Sequence, residues 1–300
     1  MSNNPLISII TINFNNISVT FDLLLSIREC NYTNLEIIVV DNGSDLNPTE
    51  MIEEIFPEVK AIRSPKNLGF AGGNNLGIKY ANGEYIFFVN NDTLFAENLI
   101  EELIKPFYEN ERIGIISPKV FYYEKPNIIQ YAGATEINSL TGRNKVIGQG
   151  KNDDSKLYKS DFTYFAHGAA MIVRKSIVEK VGVFPEIFFL YYEELDYSYR
   201  IRKAGFKIYF NSKAVIYHRV SYSIGEDSPL KTYFMARNRI MFMHRNFTRI
   251  RFFIFILFFV IFTVPKNSFN YIITGRRDLL NSFYKAIWWN LKTPSKVKLS

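Results

Sequence analysis

The sequence predicts an α/β fold with a mainly parallel central sheet flanked by helices, and three observations carry that reading. Short continuous apolar runs rich in β-branched residues recur at 6–12, 35–40 and 85–89. Helix-patterned stretches at 19–29 and 73–80 separate them. Each run ends in a polar cluster: Asn13-Phe14-Asn15, Asp41-Asn42-Gly43-Ser44-Asp45 and Asn90-Asn91-Asp92. Continuous apolar runs suit strands buried on both faces. Strands alternating with helices imply parallel pairing, with a ligand site beyond the carboxyl ends of the strands, where the three polar clusters converge.

The N-terminal residues carry no basic segment and only a short apolar run, so they read as the first strand of a cytoplasmic protein and not as a signal peptide. The section 112–165, rich in Tyr, Gly and Asn, is expected to hold short strands and a long loop. A helical pattern covers 193–204, with Gly205 as its C-cap, and strands are expected at 206–210 and 214–217, followed at once by His218. From 231 onward the composition turns aromatic and basic. An apolar run at 252–264, interrupted only by Thr263, is shorter than the roughly 20 residues needed to span a bilayer, and Pro265 is expected to end it. Arg245, Arg249 and Arg251 precede this run, and Arg276, Arg277, Lys285, Trp288 and Trp289 follow it. That pattern fits a helix lying in the plane of an anionic membrane surface; a buried C-terminal helix or an oligomer contact is the plainer alternative.

Three hundred residues, 47% hydrophobic and 22% charged, exclude a disordered or fibrous chain. The net charge of +7 is unevenly spread: residues 231–300 hold thirteen Lys/Arg against Asp278 alone, which leaves 1–230 at about −5. A nucleic-acid binder would carry its basic residues in a groove and not around an apolar helix, so no nucleic-acid partner is expected. With Cys30 the only cysteine, disulfides and Cys-based metal sites are excluded; any metal must rest on carboxylates and on His167, His218 and His244.

Three segments bear chemistry. In LEIIVVDNGSDLN a buried strand delivers Asp41 to a turn, where a carboxylate can accept from a nucleobase or ribose, or simply cap the turn. In NLGFAGGNN, a helix opens at Asn67–Gly73, and its first amides can approach a phosphate or sugar; neither a P-loop nor a dinucleotide fingerprint is present. Asp92, at the next strand end, is a hard oxygen ligand suited to Mg²⁺ or Mn²⁺ on a diphosphate. In the third, Glu193, Glu194 and Asp196 crowd a helix start beside Tyr191-Tyr192. Such carboxylates either favour the helix dipole or raise one pKa for proton abstraction, and Asp196 can also pair with Arg200 one turn on.

In order and combination these segments resemble the family-2 inverting glycosyltransferases of the GT-A fold, nearest to the bacterial subgroup that contains many rhamnosyltransferases. The resemblance runs over ISIITINFNN, VVDNGSD, NLGFAGGNN, VNNDT, GAAMIVRKSIVEKVGVFPEIFFLYYEELDYSYRIRKAGFK and AVIYH, and more weakly through Tyr233–Asn238. It implies a GT-A domain over 1–230, with a nucleotide-sugar half to about 110 and an acceptor half over 111–230, followed by a helical, membrane-associating region over 231–300. It further implies that Ile12 and Phe14 line the base pocket, that Asp41 binds base or ribose, and that Asn67, Gly69, Asn90 and Asn91 belong to the nucleotide-sugar site. Asp92 matches the last carboxylate of the metal-binding Asp-x-Asp motif, whose first position is Asn90 here, and His218 matches a histidine that can complete the metal or pyrophosphate site. Glu194 aligns with the catalytic base and Asp196 with a carboxylate that holds acceptor or helix, the base assignment among Glu193, Glu194 and Asp196 staying open.

The implied activity is inverting transfer of a sugar from a nucleotide-diphosphate donor, dTDP-rhamnose or a UDP-sugar. The acceptor is a hydroxyl on a glycan or polyprenyl-diphosphate-linked glycan, in surface-polysaccharide synthesis at the inner face of the plasma membrane. A single displacement needs one carboxylate base, with a divalent cation on the leaving diphosphate. A nucleotidyltransferase would need a Gly-rich basic loop at 10–16, which is lacking; a non-catalytic sugar-nucleotide-binding assembly protein is the remaining alternative.

Overall fold

The structure is a computed structural model and describes residues 4–154, 157–219 and 228–293. The first three residues, and Lys296 and Lys298 of the basic tail, lie outside the described residues.

The three apolar runs form β1 (Ile7–Asn13), β2 (Leu35–Asp41) and β4 (Tyr85–Val89), with β3 (Val59–Arg63) beyond β2. All pair in parallel in the order β3-β2-β1-β4. Between them lie α1 (Ile17–Arg28), α2 (Thr49–Ile55) and α3 (Gly69–Ile78). Helix α1 buries Thr20, Leu23, Leu24 and Ile27, the spacing of one helical face. Helix α3 lies close on β1, and its glycines make that possible: a Cβ on Gly77 would come within 2.5 Å of Ile10 Cγ2, and one on Gly73 within 2.8 Å of Ile12 Cδ1.

Past β4 the sheet becomes mixed. β5 (Thr93–Phe95), α4 (Leu99–Glu109), β6 (Ile113–Tyr122), β7 (Lys125–Tyr131) and β8 (Asp161–Thr163) lead to β9 (Ala170–Arg174), which is antiparallel to both β4 and β6. After α5 (Lys175–Val181) and α6 (Glu193–Lys203) the chain enters β10 (Lys207–His218), parallel to β6. The two strands expected at 206–210 and 214–217 are thus one strand. A register shift between Asn211 and Val215 bends it, where Asn211 donates to Glu102 O (2.8 Å) and Ser212 N to Ser160 Oγ (2.9 Å). The far end of β10 is edged by β5, so His218 lies opposite Thr93 and beside the residue before it, Asp92.

The core continues past residue 230. Helix α7 (Pro229–Asn246), capped by Ser228, buries Phe234 and the whole stretch 236–243. Helix α10 (Arg277–Lys292) packs along α7 through Leu279, Phe283, Ala286 and Asn290. Pro265 does not end the apolar helix. Helix α8 (Arg249–Phe258), a π-turn at Phe259–Thr263 and α9 (Val264–Ile273) run on as one helix over Arg249–Ile273, 25 residues, long and apolar enough to cross a membrane by length and composition alone. Pro265 falls in the first turn of α9, directly after the widened π-turn, where its missing amide and its ring are accommodated. Within this helix only Phe255, Phe259 and Thr263 are buried, one row on one face. Ile250, Phe253, Ile254, Leu257, Val260 and Ile261 are exposed.

Candidate active site

A cleft of about 760 Å³ opens where the C-terminal ends of β4 and β10 meet the start of α6, and its lining includes Asn90, Asp92, His218, Glu193 and Glu194. Topology brings the first three together. The chain leaves β4 through Asn90-Asn91-Asp92 and turns back as β5 along the end of β10. His218 Nδ1 lies 2.8 Å from Gln130 Oε1 and donates to it, which leaves Nε2 with its lone pair 3.1 Å from Asp92 Oδ1 and 3.4 Å from Asn90 Nδ2. Asp92 Oδ1 is buried and accepts no hydrogen bond. A carboxylate oxygen and an imidazole lone pair that face each other at this distance suit a shared cation, so both residues fit the divalent ion expected of them. Among the described residues no third His, Cys, Asp or Glu joins them, so the remaining ligands of such an ion would come from diphosphate oxygens and water.

The expected nucleotide pocket is built differently from the sequence reading. Asp41 is fully buried: Oδ1 accepts from Asn13 Nδ2 (3.0 Å) and from the Ser44 hydroxyl, Oδ2 from Ser44 N (3.2 Å), and Arg63 Nε is 3.7 Å away. So used and fully buried, Asp41 holds the two turns together. The amides at the start of α3 are likewise taken. Leu68 N donates to Asn42 Oδ1 (3.0 Å), Gly69 N to Asn67 Oδ1 (2.8 Å) and Phe70 N to Phe189 O (2.7 Å), so these three do not reach a phosphate. Ile12 packs under Gly73, and Asn91 donates to Thr20 (2.9 Å), which itself donates to Asn13 Oδ1 (3.0 Å). Phe14, 40% exposed, remains as an open platform at this rim.

Helix α6, which carries Glu193 and Glu194, is delivered by an unusual loop. Phe189, Tyr191 and Tyr192 all have positive φ, between 63° and 74°, where side chains cost energy. The loop is held from two sides. Gly69 and Phe70 grip the Phe189 carbonyl; a Cβ on Gly69, itself at φ +71°, would lie 2.2 Å from that oxygen. From α7, Asn238 Nδ2 lies within 3.0 Å of the carbonyls of Phe188, Leu190 and Tyr191, and Arg237 Nη2 donates to Ile187 O and Phe188 O. The weak resemblance at Tyr233–Asn238 thus marks the residues that fix this loop.

Glu193 and Glu194 follow, and each has an Oε2 that is buried and unpartnered. Burial pushes Glu194 up to about 7, against the downward pull of the amides of Glu194, Leu195 and Tyr192 at the helix start. Glu193 is raised well above the usual carboxylate range by burial and by the neighbouring Glu194 charge. Asp196 does not line the cleft; of the roles expected of it, the structure shows the pairing with Arg200 and the holding of the helix, and not a place beside the acceptor. Fully buried, it accepts from Arg200 Nε (2.9 Å), Arg245 Nε (3.3 Å) and Asn246 Nδ2 (2.8 Å), and so clamps α6 to α7.

The cleft also holds residues that the sequence reading did not single out. His167 accepts from Ala169 N at Nδ1 (3.1 Å), and burial together with His218 pushes it down to about 3, so it is neutral and carries its proton on Nε2. Gln130 sets the tautomer of His218, and Arg143 and Arg239 also line the cleft. Only proximity in the fold could mark them, since each is remote in sequence from the motifs.

The sequence model of glycosyl transferase family 2 matches residues 8–182. The low-salt glycan biosynthesis hexosyltransferase Agl10 of Haloferax volcanii is 29% identical over 177 residues, which cover 58% of this chain and 55% of that protein, so the match takes in only about half of that relative's length. An N-acetylglucosaminyl-diphospho-decaprenol L-rhamnosyltransferase of Mycobacterium tuberculosis is 23% identical over 215 residues, 64% of this chain and 69% of its own. Among solved structures, GalNAc-T7 with UDP, GalNAc and Mn²⁺ superposes with a TM-score of 0.65 at 17% identity, over 82% of this chain and 48% of that one. Mannosyltransferase PcManGT of Pyrobaculum calidifontis, with GDP-Man and Mn²⁺, gives 0.59 at 15% identity, over 99% and 78%. The two structural likenesses establish the GT-A fold.

Proposed function

Because the chain belongs to glycosyl transferase family 2, we propose that it moves a sugar, with inversion, from a nucleoside-diphosphate donor to a hydroxyl of a glycan or lipid-linked glycan. The observation that carries this reading is the presence of a buried carboxylate raised to about 7, Glu194, in the same cleft as the Asp92–His218 pair. Glu194 takes the acceptor proton as the oxygen attacks the anomeric carbon, and a base titrating near neutral pH is matched to that task. Glu193, raised by burial and by the Glu194 charge, resists ionising while Glu194 is charged, so the cleft disfavours two adjacent negative charges. A divalent cation, Mn²⁺ or Mg²⁺, held by Asp92 and His218 would neutralise the charge that grows on the departing diphosphate. His167, neutral with its Nε2 proton, donates a hydrogen bond to the sugars in the cleft. The donor, dTDP-rhamnose or a UDP-sugar, lies across the rim at Phe14 and Asn90.

The same reading places the protein at the inner face of the plasma membrane, where surface-polysaccharide intermediates are assembled. Helix 249–273 is fixed lengthwise by Phe255, Phe259 and Thr263 and turns its other side outward as an apolar face flanked by Arg249, Arg251, Arg276 and Arg277. An in-plane anchor on an anionic surface needs that arrangement, whereas a span would need lipid all round.

The test is binding of UDP, dTDP, GDP and ADP with and without Mn²⁺, followed by turnover of sugars carried on the tightest binder. Metal-stimulated binding of one diphosphate and transfer from its sugar are expected. Absence of binding to all four would replace this reading by the non-catalytic one, and persistence of metal-stimulated transfer in Asp92→Ala would remove the metal role from Asp92.

A further inference from the structure

Besides the Asp92–His218 pair and the two glutamates, the cleft is lined by three cations, Arg143, Arg239 and Lys231. Arg239 is 5% exposed, and its guanidinium is pushed down to about 10 by burial and by Arg143 beside it. Its Nε donates to Thr141 O (2.7 Å), and its plane rests near the rings of Phe255 and Phe259. Among the described residues no carboxylate comes within ion-pair distance of Arg239, Arg143 or Lys231. The acidic residues of the cleft do not serve them, since the cation that acts on Glu193 is Arg237. A buried cation next to a second one is costly unless an anion completes it.

The arrangement is built in. The loop that carries Arg143 is closed on itself by Asn138 N, which donates to Arg143 O (2.9 Å), and is clipped to α7 and α8 where Gly142 lies against Met243 and Phe255. Tyr192, next to the base helix, donates to Gly142 O (3.2 Å), which ties this wall to Glu193 and Glu194. From the same wall Phe259 and Tyr271 of helix 249–273 face the cleft, while Phe253, Leu257 and Val260 on its other side are 61%, 45% and 56% exposed. One helix therefore joins a cationic recess to an outward apolar surface.

We propose that Arg143, Arg239 and Lys231 are the subsite for a diphosphate that carries a long apolar chain. The diphosphate sits between the two guanidinium groups and the ammonium, and the chain leaves along helix 249–273. This deepens the glycosyl-transfer reading and rests on it: the diphosphate lipid is the carrier of the acceptor sugar, whose hydroxyl then meets Glu194. Bidentate guanidinium forks match phosphate oxygens, and the apolar face gives the chain somewhere to go without entering water.

The experiment uses the full chain in EDTA, with farnesyl diphosphate, farnesol and inorganic pyrophosphate as probes in titration calorimetry. Farnesyl diphosphate is expected to bind at least tenfold tighter than either fragment. Arg143→Gln with Lys231→Gln, both on accessible side chains whose loss leaves the core intact, should weaken it at least tenfold and leave Mn²⁺-dependent nucleotide binding unchanged. Asp92→Ala should do the reverse. Unchanged farnesyl diphosphate binding in the double variant overturns the subsite, as does loss in Asp92→Ala alone, which would put the probe in the donor site, and so does equal binding of farnesol. Tight, arginine-dependent binding in a protein that transfers no sugar would support the subsite and overturn the transfer reading.

Discussion

Glu193 and Glu194 are adjacent in the chain and share one buried environment, so their protons are linked. Glu194 works as a base only when deprotonated, and turnover is therefore expected to rise as pH climbs through about 7. Glu194→Gln should bind donor as before, lose about 10²–10⁴-fold in kcat, and show no such rise; full activity in this variant removes the base from Glu194. The pair also bears on stability. Both carboxyls titrate higher folded than unfolded, so the folded state holds extra protons between the ordinary glutamate range and the raised values. The stability tied to those protons is present at low pH and lost as pH rises through that window. Glu193→Gln keeps the shape without the charge. It should raise stability at pH 8 by about 1–3 kcal/mol, the usual cost of a buried polar group without a partner, and leave it little changed at pH 5. Equal melting shifts at both values would show that Glu193 is not raised.

At the scale of elements, the loop before α6 is where two halves of the molecule meet. Three non-glycine residues with positive φ persist because Gly69 and Phe70 hold one carbonyl and Asn238 holds three. Asn238→Ala should cost about 1–3 kcal/mol through unsatisfied carbonyls. It should also lower kcat more than it raises KM, because it displaces Glu194 without touching the donor rim; an unchanged kcat would mean that the loop stands without α7. This is also where legibility in the sequence divides. β1, β2, β4 and helix α6 were readable, because period and strand ends are local; that Asp92 and His218 come together was implied only by the resemblance, since 126 residues separate them. β9 was not readable, since 170–174 is a short run inside a stretch that looks like the approach to a helix, and only β4 and β6 on either side make it a strand. Asp41 and Asp196 have the residue types of site carboxylates, but whether such a group faces a ligand or an arginine depends on what packs on it. Arg143, Arg239 and Gln130 were invisible for the same reason in reverse.

For the whole molecule, the uneven charge and the exposed apolar face belong to one surface. The full chain is expected to co-sediment with vesicles containing anionic lipid and less with neutral ones, and the difference should shrink with salt. Ile254→Asp with Leu257→Asp, both exposed, should release it from vesicles without lowering the melting temperature. Retention on the vesicles would show that the face is not the contact. A deletion from 251 onward is a different experiment, because it strips Phe255, Phe259 and Phe283 from the core and is expected to give insoluble protein.

The π-turn at Phe259–Thr263 takes up one residue without changing the phase of what comes after it. It holds one residue more than a regular turn, and each residue in a helix is worth about 100° of rotation. Removing that extra residue would restore a regular turn and keep the phase, whereas removing one from the regular turn after it, at 264–266, would swing Asn267 and Tyr271 away from the cleft by about 100° and bring Ser268 and Ile272 to their places. A one-residue gap at 264–266 is therefore expected to alter which acceptors the cleft takes while the protein still clings to lipid, and a one-residue gap at 259–263 is expected to alter neither.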